Sequence, residues 1–231
     1  MKSNKAGKPE DAVRRRVMIV DDHPLVRQGL ATVINQQTDL VSGPEAGSAV
    51  EAMTILETVR PDVMVVDIQL RETNGVELIK SVHARDDALP ILALSMHEEA
   101  LYAERVLRAG ALGYVMKQEP VETVLEAIRT VLEGEIWVSA RISSTLLREM
   151  LSSSRHQPGP AKMGVSSLSD RELEVFEFIG AGLSTRAIAE KLRLGLKTVE
   201  THRAAIKSKL QLRSAVEMVQ HATLWVAQSG K

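Results

Sequence analysis

The stretch Val17-Met-Ile-Val-Asp-Asp22 places four consecutive aliphatic residues directly before two acids. A short, wholly apolar run that ends in polar residues is typical of a strand buried on both faces of a sheet. The pattern recurs in Val63-Met-Val-Val-Asp67, and Ile91-Leu-Ala-Leu-Ser95 ends in a hydroxyl instead of an acid. We therefore predict a parallel sheet whose strands end in polar side chains.

Shorter apolar runs at residues 40–42 and 113–115 complete a set of five predicted strands. Apolar residues recur at helical spacing after each run, as Leu25, Leu30 and Val33 do after the first. Five strands that are each followed by a helix predict an α/β, doubly wound, flavodoxin-like fold with the strand order 2-1-3-4-5. Because Gly43-Pro44 interrupts the second run, we expect that strand to be short or irregular.

The composition excludes several classes of protein. Of the 231 residues, 44% are hydrophobic and 26% are charged, as in ordinary globular domains. The chain contains no cysteine, which excludes disulfides, thiol nucleophiles and thiolate metal sites and favours a reducing, cytoplasmic location. Its apolar runs are far shorter than the roughly 18 residues of a membrane span, so we expect no membrane association.

The chain divides into four predicted segments. Residues 1–15 form a polar, disordered tail, and residues 16–133 form the sheet domain. Residues 134–165 form a linker that contains a further helix at roughly Ser139 to Leu151, and residues 166–231 form an all-α domain of four helices. The last segment has ten basic and seven acidic residues, which is compatible with a polyanionic partner or with an ordinary solvated surface.

Polar side chains follow four of the predicted strands, and they are Asp21, Asp22, His23, Asp67, Ser95 and Lys117. Ligands of open parallel sheets bind beyond the carboxyl ends of the strands, where the strand order reverses. The third strand lies beside the first in the predicted order, so three carboxylates meet at one edge and cannot all stay ionised unpaired. A hard divalent cation with oxygen ligands resolves this repulsion, and we predict Mg²⁺.

This constellation suits phosphoryl chemistry. An aspartate beside a divalent cation can attack a phosphoryl group and form an aspartyl phosphate. Lys117 would spread the charge of the phosphoryl oxygens, and Ser95 would donate a hydrogen bond to them. Each residue also has a plainer alternative as a helix cap, a turn residue or a solvated lysine. The arrangement of all of them at successive strand ends favours the phosphoryl site.

The polar residues at the strand ends resemble those of the receiver domain of bacterial two-component response regulators. The resemblance rests on Asp21-Asp22, Asp67, Ser95 and Gly113-Tyr-Val-Met-Lys117 with Pro120, each in its place after a strand. The resemblance implies that Asp67 is the phosphoacceptor and that a sensor histidine kinase is the phosphodonor. It also implies that Asp22, Asp67 and the backbone carbonyl of Gln69 hold Mg²⁺, with Asp21 acting largely through water. The proteins of this class accept the phosphoryl group on themselves and hydrolyse it, and are otherwise not enzymes.

The resemblance further implies that Lys117 contacts the phosphoryl group and that Ser95 and Tyr114 form a switch pair. If Ser95 moves toward a new phosphate, it leaves space into which the Tyr114 ring can turn. The surface around the fourth helix and the fifth strand would then change. The charge of the phosphoryl group would thus shift this surface between two conformations.

The C-terminal segment has the pattern of a helix-turn-helix. Ser169 with Glu172 has the form of a capping box, a short helix over residues 185–192 follows, and a tight turn at 193–195 leads into a third helix. Residues 196–213 contain five basic residues and one acid, which suits contact with phosphates. A helix hairpin with a solvated basic side is the alternative that charge alone leaves open.

The order of residues favours the helix-turn-helix, because three stretches of this segment resemble the LuxR-type DNA-binding domain. They are Leu168-Ser-Asp-Arg-Glu-Leu-Glu-Val175, Ile188-Ala-Glu-Lys-Leu192 and Lys197-Thr-Val-Glu-Thr-His-Arg203. By this resemblance the recognition helix spans residues 197–209, and its DNA-contacting residues are Lys197, Thr198, Glu200, Thr201, Arg203, Lys207 and Lys209. The last helix, about residues 214–227, would form a homodimer contact through Val216, Val219 and Leu224.

The sequence is therefore identified as a phosphorylation-controlled transcription regulator of the NarL/FixJ class of response regulators. Phosphorylation would favour a homodimer on double-stranded DNA, and RNA polymerase is a candidate partner. The unphosphorylated receiver would either cover the recognition helix or keep protomers apart. The alternatives are an adaptor whose C-terminal helices bind protein or RNA, a phosphatase with an aspartate nucleophile, and a regulator that does not depend on phosphorylation.

Overall fold

The computed structural model describes residues 14–70, 74–96, 99–144 and 164–229. The N-terminal domain has a five-stranded parallel sheet in the order β2-β1-β3-β4-β5, which confirms the predicted order. Its strands are β1 (Arg15–Val20), β2 (Leu40–Ala46), β3 (Val63–Asp67), β4 (Ile91–Ser95) and β5 (Gly113–Met116). Its helices are α1 (Pro24–Asn35), α2 (Ala49–Ile55), α3 (Gly75–Arg85), α4 (Glu99–Arg108) and α5 (Val121–Leu132).

The sheet separates two hydrophobic layers. Met18 and Val20 of β1 point into the layer that α2, α3 and α4 cover, whereas Val17 and Ile19 point into the layer of α1 and α5. All four side chains are fully buried. Successive side chains of a strand alternate between faces, so apolar runs without alternation were the correct sign of a sheet covered on both sides.

Strand β2 differs in part from the prediction. It continues through Gly43 and Pro44 to Ala46 and is therefore longer than expected. It is irregular as expected, because its register with β1 shifts between Val17 and Ile19. Proline is tolerated there because β2 is an edge strand.

The segment after α5 returns to the other edge of the sheet. Trp137 donates its backbone N–H to Leu112, and Tyr114 donates its own to Trp137, both at 2.9 Å. A parallel bridge between Gly113 and Trp137 thus covers the edge of β5, which the sequence did not indicate. The linker helix predicted from Ser139 begins at Ala140 and is described to residue 144. Its remainder, most of the polar tail and residues 152–163 of the linker lie outside the described residues.

The C-terminal domain contains four helices in its described part, at the predicted places: α6 (Asp170–Gly180), α7 (Thr185–Leu192), α8 (Leu196–Lys209) and α9 (Ala215–Ser229). Ser169 and Glu172 form the predicted capping box, and Ser184 caps α7. A Cβ on Gly180 would lie 2.5 Å from the Ala222 carbonyl, so the glycine allows α6 and α9 to approach closely. Among the described helices, none is both long and apolar enough to cross a bilayer.

Candidate phosphoryl site and nucleic-acid interface

The predicted carboxylates meet at the carboxyl edge of the sheet. Asp21 and Asp22 follow β1, and Asp67 ends the adjacent β3. All three are buried, and each offers an oxygen that lies within 4.8 Å of the others and of a ring nitrogen of His23. The strand pairing alone brings these residues together, because β1 and β3 are neighbours although 42 residues, 21–62, lie between them in the chain.

Lys117 supplies the positive charge of the cluster. Its Nζ donates to Asp21 Oδ2 at 2.6 Å and lies 2.7 Å from Asp67 Oδ2. The lysine follows β5, and its backbone N–H bonds to the Ser95 carbonyl at 2.8 Å. Burial by itself lowers the pKa of Lys117, but the charge of Asp67 and hydrogen bonds to both aspartates outweigh burial and raise it. The lysine is therefore held fully charged between two carboxylates.

Asp67 has a raised pKa. Burial is the main cause, the charge of Lys117 opposes it, and the charge of Asp21 adds to it. Gln69 donates its backbone N–H to Asp67 Oδ1 at 3.0 Å, so the chain turns around the carboxyl group directly after β3. This contact places the backbone of Gln69 beside the cluster.

The loop closes onto α3 through a glycine. Gly75 donates its N–H to the Ile68 carbonyl at 2.8 Å, and a Cβ at this position would lie only 2.1 Å from the Asp67 carbonyl oxygen. The close approach holds Asn74, the N-cap of α3, in a buried position beside the end of β3. The sequence did not indicate that a glycine was needed here.

We expect Gly75→Ala to reduce the stability of the receiver domain and to disturb Asp67, because backbone must move to admit the methyl group. The expected loss in the free energy of unfolding is about 1–3 kcal/mol, as for other overpacked sites. Urea denaturation measures it. Gly29→Ala in α1 is the control, since a Cβ there meets no atom within 4 Å and alanine favours a helix. Equal stability of Gly75→Ala and the wild type would contradict the close approach.

The predicted switch residues are in contact in this structure. Ser95 and Tyr114 are both buried, and their side chains share a hydrogen bond. Burial raises the pKa of Tyr114 strongly, so the phenol stays neutral. The ring already lies inside the domain in this conformation, and its backbone is bonded to Trp137 as described above.

Two residues near the cluster were not included in the predicted metal set. The His23 ring Nδ1 lies 2.9 Å from Asp22 Oδ1 and 3.1 Å from Asp21 Oδ1, and His23 donates its backbone N–H to Asp21 Oδ1 at 2.7 Å. Arg27 donates to the Asp21 carbonyl from one turn into α1. His23 directly follows the two aspartates in the sequence, whereas nothing in the sequence pointed to Arg27.

The donor set fits a hard divalent cation. Three buried carboxylates around one lysine keep a surplus of negative charge, and their oxygens are close enough to bind one ion. Receiver domains bind Mg²⁺ at such an aspartate cluster, and oxygen ligands are those that Mg²⁺ prefers.

The third helix of the C-terminal domain presents a polar, basic face. Val199 and Ile206 are fully buried, as the predicted stripe requires, and Leu210 is partly buried. Five of the predicted DNA-contacting residues are exposed, and they are Lys197, Thr198, Glu200, Thr201 and Lys209. Arg203 and Lys207 are half-buried. Within the part of the chain that the structure describes, most of the predicted DNA-contacting face is therefore open to solvent.

Lys209 has a second role that the sequence did not indicate. Its Nζ donates to Glu172 Oε2 at 2.6 Å, and the same oxygen accepts the Ser169 N–H of the capping box at 2.7 Å. Burial raises the pKa of Glu172, but Lys209 and Ser169 outweigh burial and lower it. The contact fixes the end of α8 to the start of α6, so any contact of Lys209 with a DNA phosphate competes with this ion pair.

Family models match both domains. Residues 17–129 match the response regulator receiver domain, and residues 166–222 match the luxR family of bacterial regulatory proteins. The oxygen regulatory protein NreC of Staphylococcus aureus is 36% identical over 210 residues, which cover 90% of this chain and 96% of that protein.

Solved structures agree in fold. RcsB of Salmonella enterica serovar Typhimurium, bound to a promoter in the presence of the phosphomimetic BeF3⁻, aligns with a TM-score of 0.58 and 22% identity over 91% of this chain and 98% of that one. A LuxR-family two-component response regulator of Aurantimonas aligns with a TM-score of 0.55 and 32% identity over 60% of this chain and 99% of that one. The chain therefore belongs to the response regulators that join a receiver domain to a LuxR-type DNA-binding domain.

Proposed function

We propose that this chain is a transcription regulator that accepts a phosphoryl group on Asp67 and thereby changes how α8 and α9 engage duplex DNA. The observation that carries the proposal is the buried cluster of three carboxylates around Lys117, in a chain that also has an exposed basic helix. The test is labelling by acetyl phosphate in the presence of Mg²⁺, followed by a DNA-binding assay at two salt concentrations.

In this proposal each residue of the cluster has one task. Asp67 attacks the phosphorus through a carboxylate oxygen, and the bond to the leaving group of the phosphodonor breaks. Asp22, Asp67 and the Gln69 carbonyl would hold Mg²⁺, with Asp21 contributing through water, and the bound ion would supply positive charge for the phosphoryl oxygens. Lys117 and Ser95 donate hydrogen bonds to the same oxygens. A sensor histidine kinase or a small acyl phosphate is the donor.

In this proposal, the change in DNA binding depends on the contacts of Tyr114. Ser95 must leave its hydrogen bond with Tyr114 in order to reach a phosphoryl group on Asp67. The backbone of Tyr114 is bonded to Trp137, and Ser139 donates its N–H to Glu99 Oε1 at 2.6 Å. The backbone of Tyr114 and the Glu99 side chain of α4 are therefore both hydrogen-bonded to the segment after α5, through which a rearrangement of the switch pair would reach the linker.

The proposed DNA complex is a homodimer. Val216, Val219 and Leu224 of α9 are all exposed, with 67%, 41% and 62% of their surface open, so they provide an apolar face for a second copy. Two recognition helices related by a two-fold axis would read an inverted repeat of half-sites. Because α8 is exposed in this conformation, phosphorylation would act mainly on pairing of protomers rather than on access to α8.

Removal of one basic residue of α8 should change the salt dependence of DNA binding. We expect Lys197→Ala to weaken binding to all duplex sequences and to reduce the slope of log K against log salt by about 1 per protomer, since one fewer phosphate is neutralised. Titration at several salt concentrations measures the slope. Arg60→Ala, which removes one positive charge from the receiver surface, is the control and should leave the slope unchanged.

The same experiment addresses the adaptor alternative. The domain's similarity to the luxR family favours DNA. Binding to duplex DNA that is weak and independent of salt would instead indicate that the C-terminal helices have another partner.

A further inference from the structure

The acidic side chains of the C-terminal domain differ in whether they have a partner. Those with a hydrogen bond or an ion pair are Asp170, Glu172, Glu174, Glu177, Glu190 and Glu217. Glu200 is the remaining acid of residues 166–231, and its carboxylate has no such partner in the part of the chain that the structure describes. It is also the single acid among the five basic residues of 196–213.

Glu200 lies on the exposed face of α8. Lys197, Glu200, Ala204 and Ser208 follow one another at intervals of three or four residues, so they share one face of the helix, and all four are exposed. Ala204 carries only a methyl group, so no long side chain follows Glu200 one turn further along this face. In a helix-turn-helix, the N-terminal part of the recognition helix contacts base edges in the major groove. Glu200 is in the first half of α8, where such a contact is expected.

The chemistry of the major groove restricts what this carboxylate can contact. It cannot pair with the DNA backbone, because phosphates carry the same charge. Guanine presents two acceptors in the groove, and thymine presents an acceptor and a methyl group, so neither base offers it a donor. Adenine has a donor at N6, but the N7 acceptor beside it repels a carboxylate. Cytosine presents the N4 amino group and no acceptor, and is therefore the base that suits Glu200.

We propose that Glu200 selects a cytosine in each half-site by accepting a hydrogen bond from its N4 amino group. The carboxylate weakens binding to duplex DNA in general, because it repels nearby phosphates, and this loss is offset only where a cytosine lies opposite it. Glu200 is thus a specificity-determining residue, whereas the basic residues around it supply affinity for any sequence. This inference rests on the proposed binding of duplex DNA by α8 and adds a base preference to it.

The test uses the full chain, treated with acetyl phosphate and Mg²⁺, and a library of random-sequence duplexes. Repeated selection of bound duplexes gives the preferred site, and titration of that site with each of the four bases at every position measures the discrimination. We expect one position in each half-site at which the wild type favours cytosine over each other base by about tenfold, within the range of good contacts to a base edge.

Glu200→Gln is the decisive variant. A glutamine amide both donates and accepts, and so does the N6 and N7 edge of adenine, so the preferred base at this position should change from cytosine to adenine. Glu200→Ala should favour no base there by more than about threefold, because the methyl group forms no hydrogen bond. Glu190→Gln removes an equal charge from the exposed surface of α7 and should keep the preference for cytosine. This control separates base reading from a general electrostatic effect.

Three results would overturn the inference and leave phosphorylation-controlled DNA binding intact. They are an unchanged base preference of Glu200→Gln and Glu200→Ala at every position, a preference of the wild type for another base at the position that responds to Glu200, and binding of the wild type to all duplexes alike. If the folded chain, with and without acetyl phosphate, binds no duplex at all, the proposed function is wrong and the role of Glu200 fails with it.

Discussion

Asp67→Asn is expected to abolish labelling of the chain by acetyl phosphate and to remove every effect of phosphodonors on DNA binding. The amide is a far weaker nucleophile than a carboxylate, so the aspartyl phosphate cannot form. The amide also lacks the charge that helps to hold Mg²⁺ and that pairs with Lys117 at 2.7 Å. Labelling is measured by intact mass or radiolabel, with DNA binding measured on the same samples.

Asp62→Asn is the matched control. Asp62 lies just before β3, where it accepts from the Arg16 N–H at 2.7 Å at the opposite end of the strand from the cluster. Its substitution should leave labelling at the wild-type level. If Asp67→Asn is labelled as fully as the wild type, another residue accepts the phosphoryl group and the proposed function is wrong.

Lys117→Met is expected to have two large effects. The first is a fall in the rate of labelling by about a hundredfold, comparable to the loss of one donor that stabilises a transition-state oxyanion. The second is a loss of about 3–5 kcal/mol in the free energy of unfolding at pH 7 without divalent cations, because two buried carboxylates lose their cation. Both aspartates are almost fully buried, so solvent does not screen this loss.

The pH dependence provides a separate check of Lys117→Met. Burial raises the pKa of Asp67, and its protonation removes the repulsion from Asp21, so the loss of stability should be smaller at pH 5 than at pH 8. Urea denaturation at both pH values measures it. Lys197→Met removes an exposed lysine of α8 and should change stability by less than about 1 kcal/mol. A stable Lys117→Met variant that labels normally would contradict the role of this lysine.

Local patterns in the chain predicted the fold in detail. The five apolar runs, the polar residues at their ends and the Ser169 capping box depend on periodicity and on near neighbours, which are visible in one sequence. The exception was β2, where Gly43 and Pro44 suggested a short or irregular strand, and the strand is irregular but not short. Pairing with β1 continues past them because an edge strand does not need every ladder hydrogen bond.

Sequence alone thus determined which residues stand at the strand ends and which face of α8 is polar, because strand and helix periods are local properties of the chain. The tertiary structure alone decided the contacts of Lys117 with Asp21, of Trp137 with the edge of β5, of Lys209 with Glu172 and of Asp170 with Arg105. These partners are far apart in sequence. Their pairing depends on how whole helices and strands pack and on which charged side chains are buried away from solvent. Neither can be predicted from a local sequence pattern.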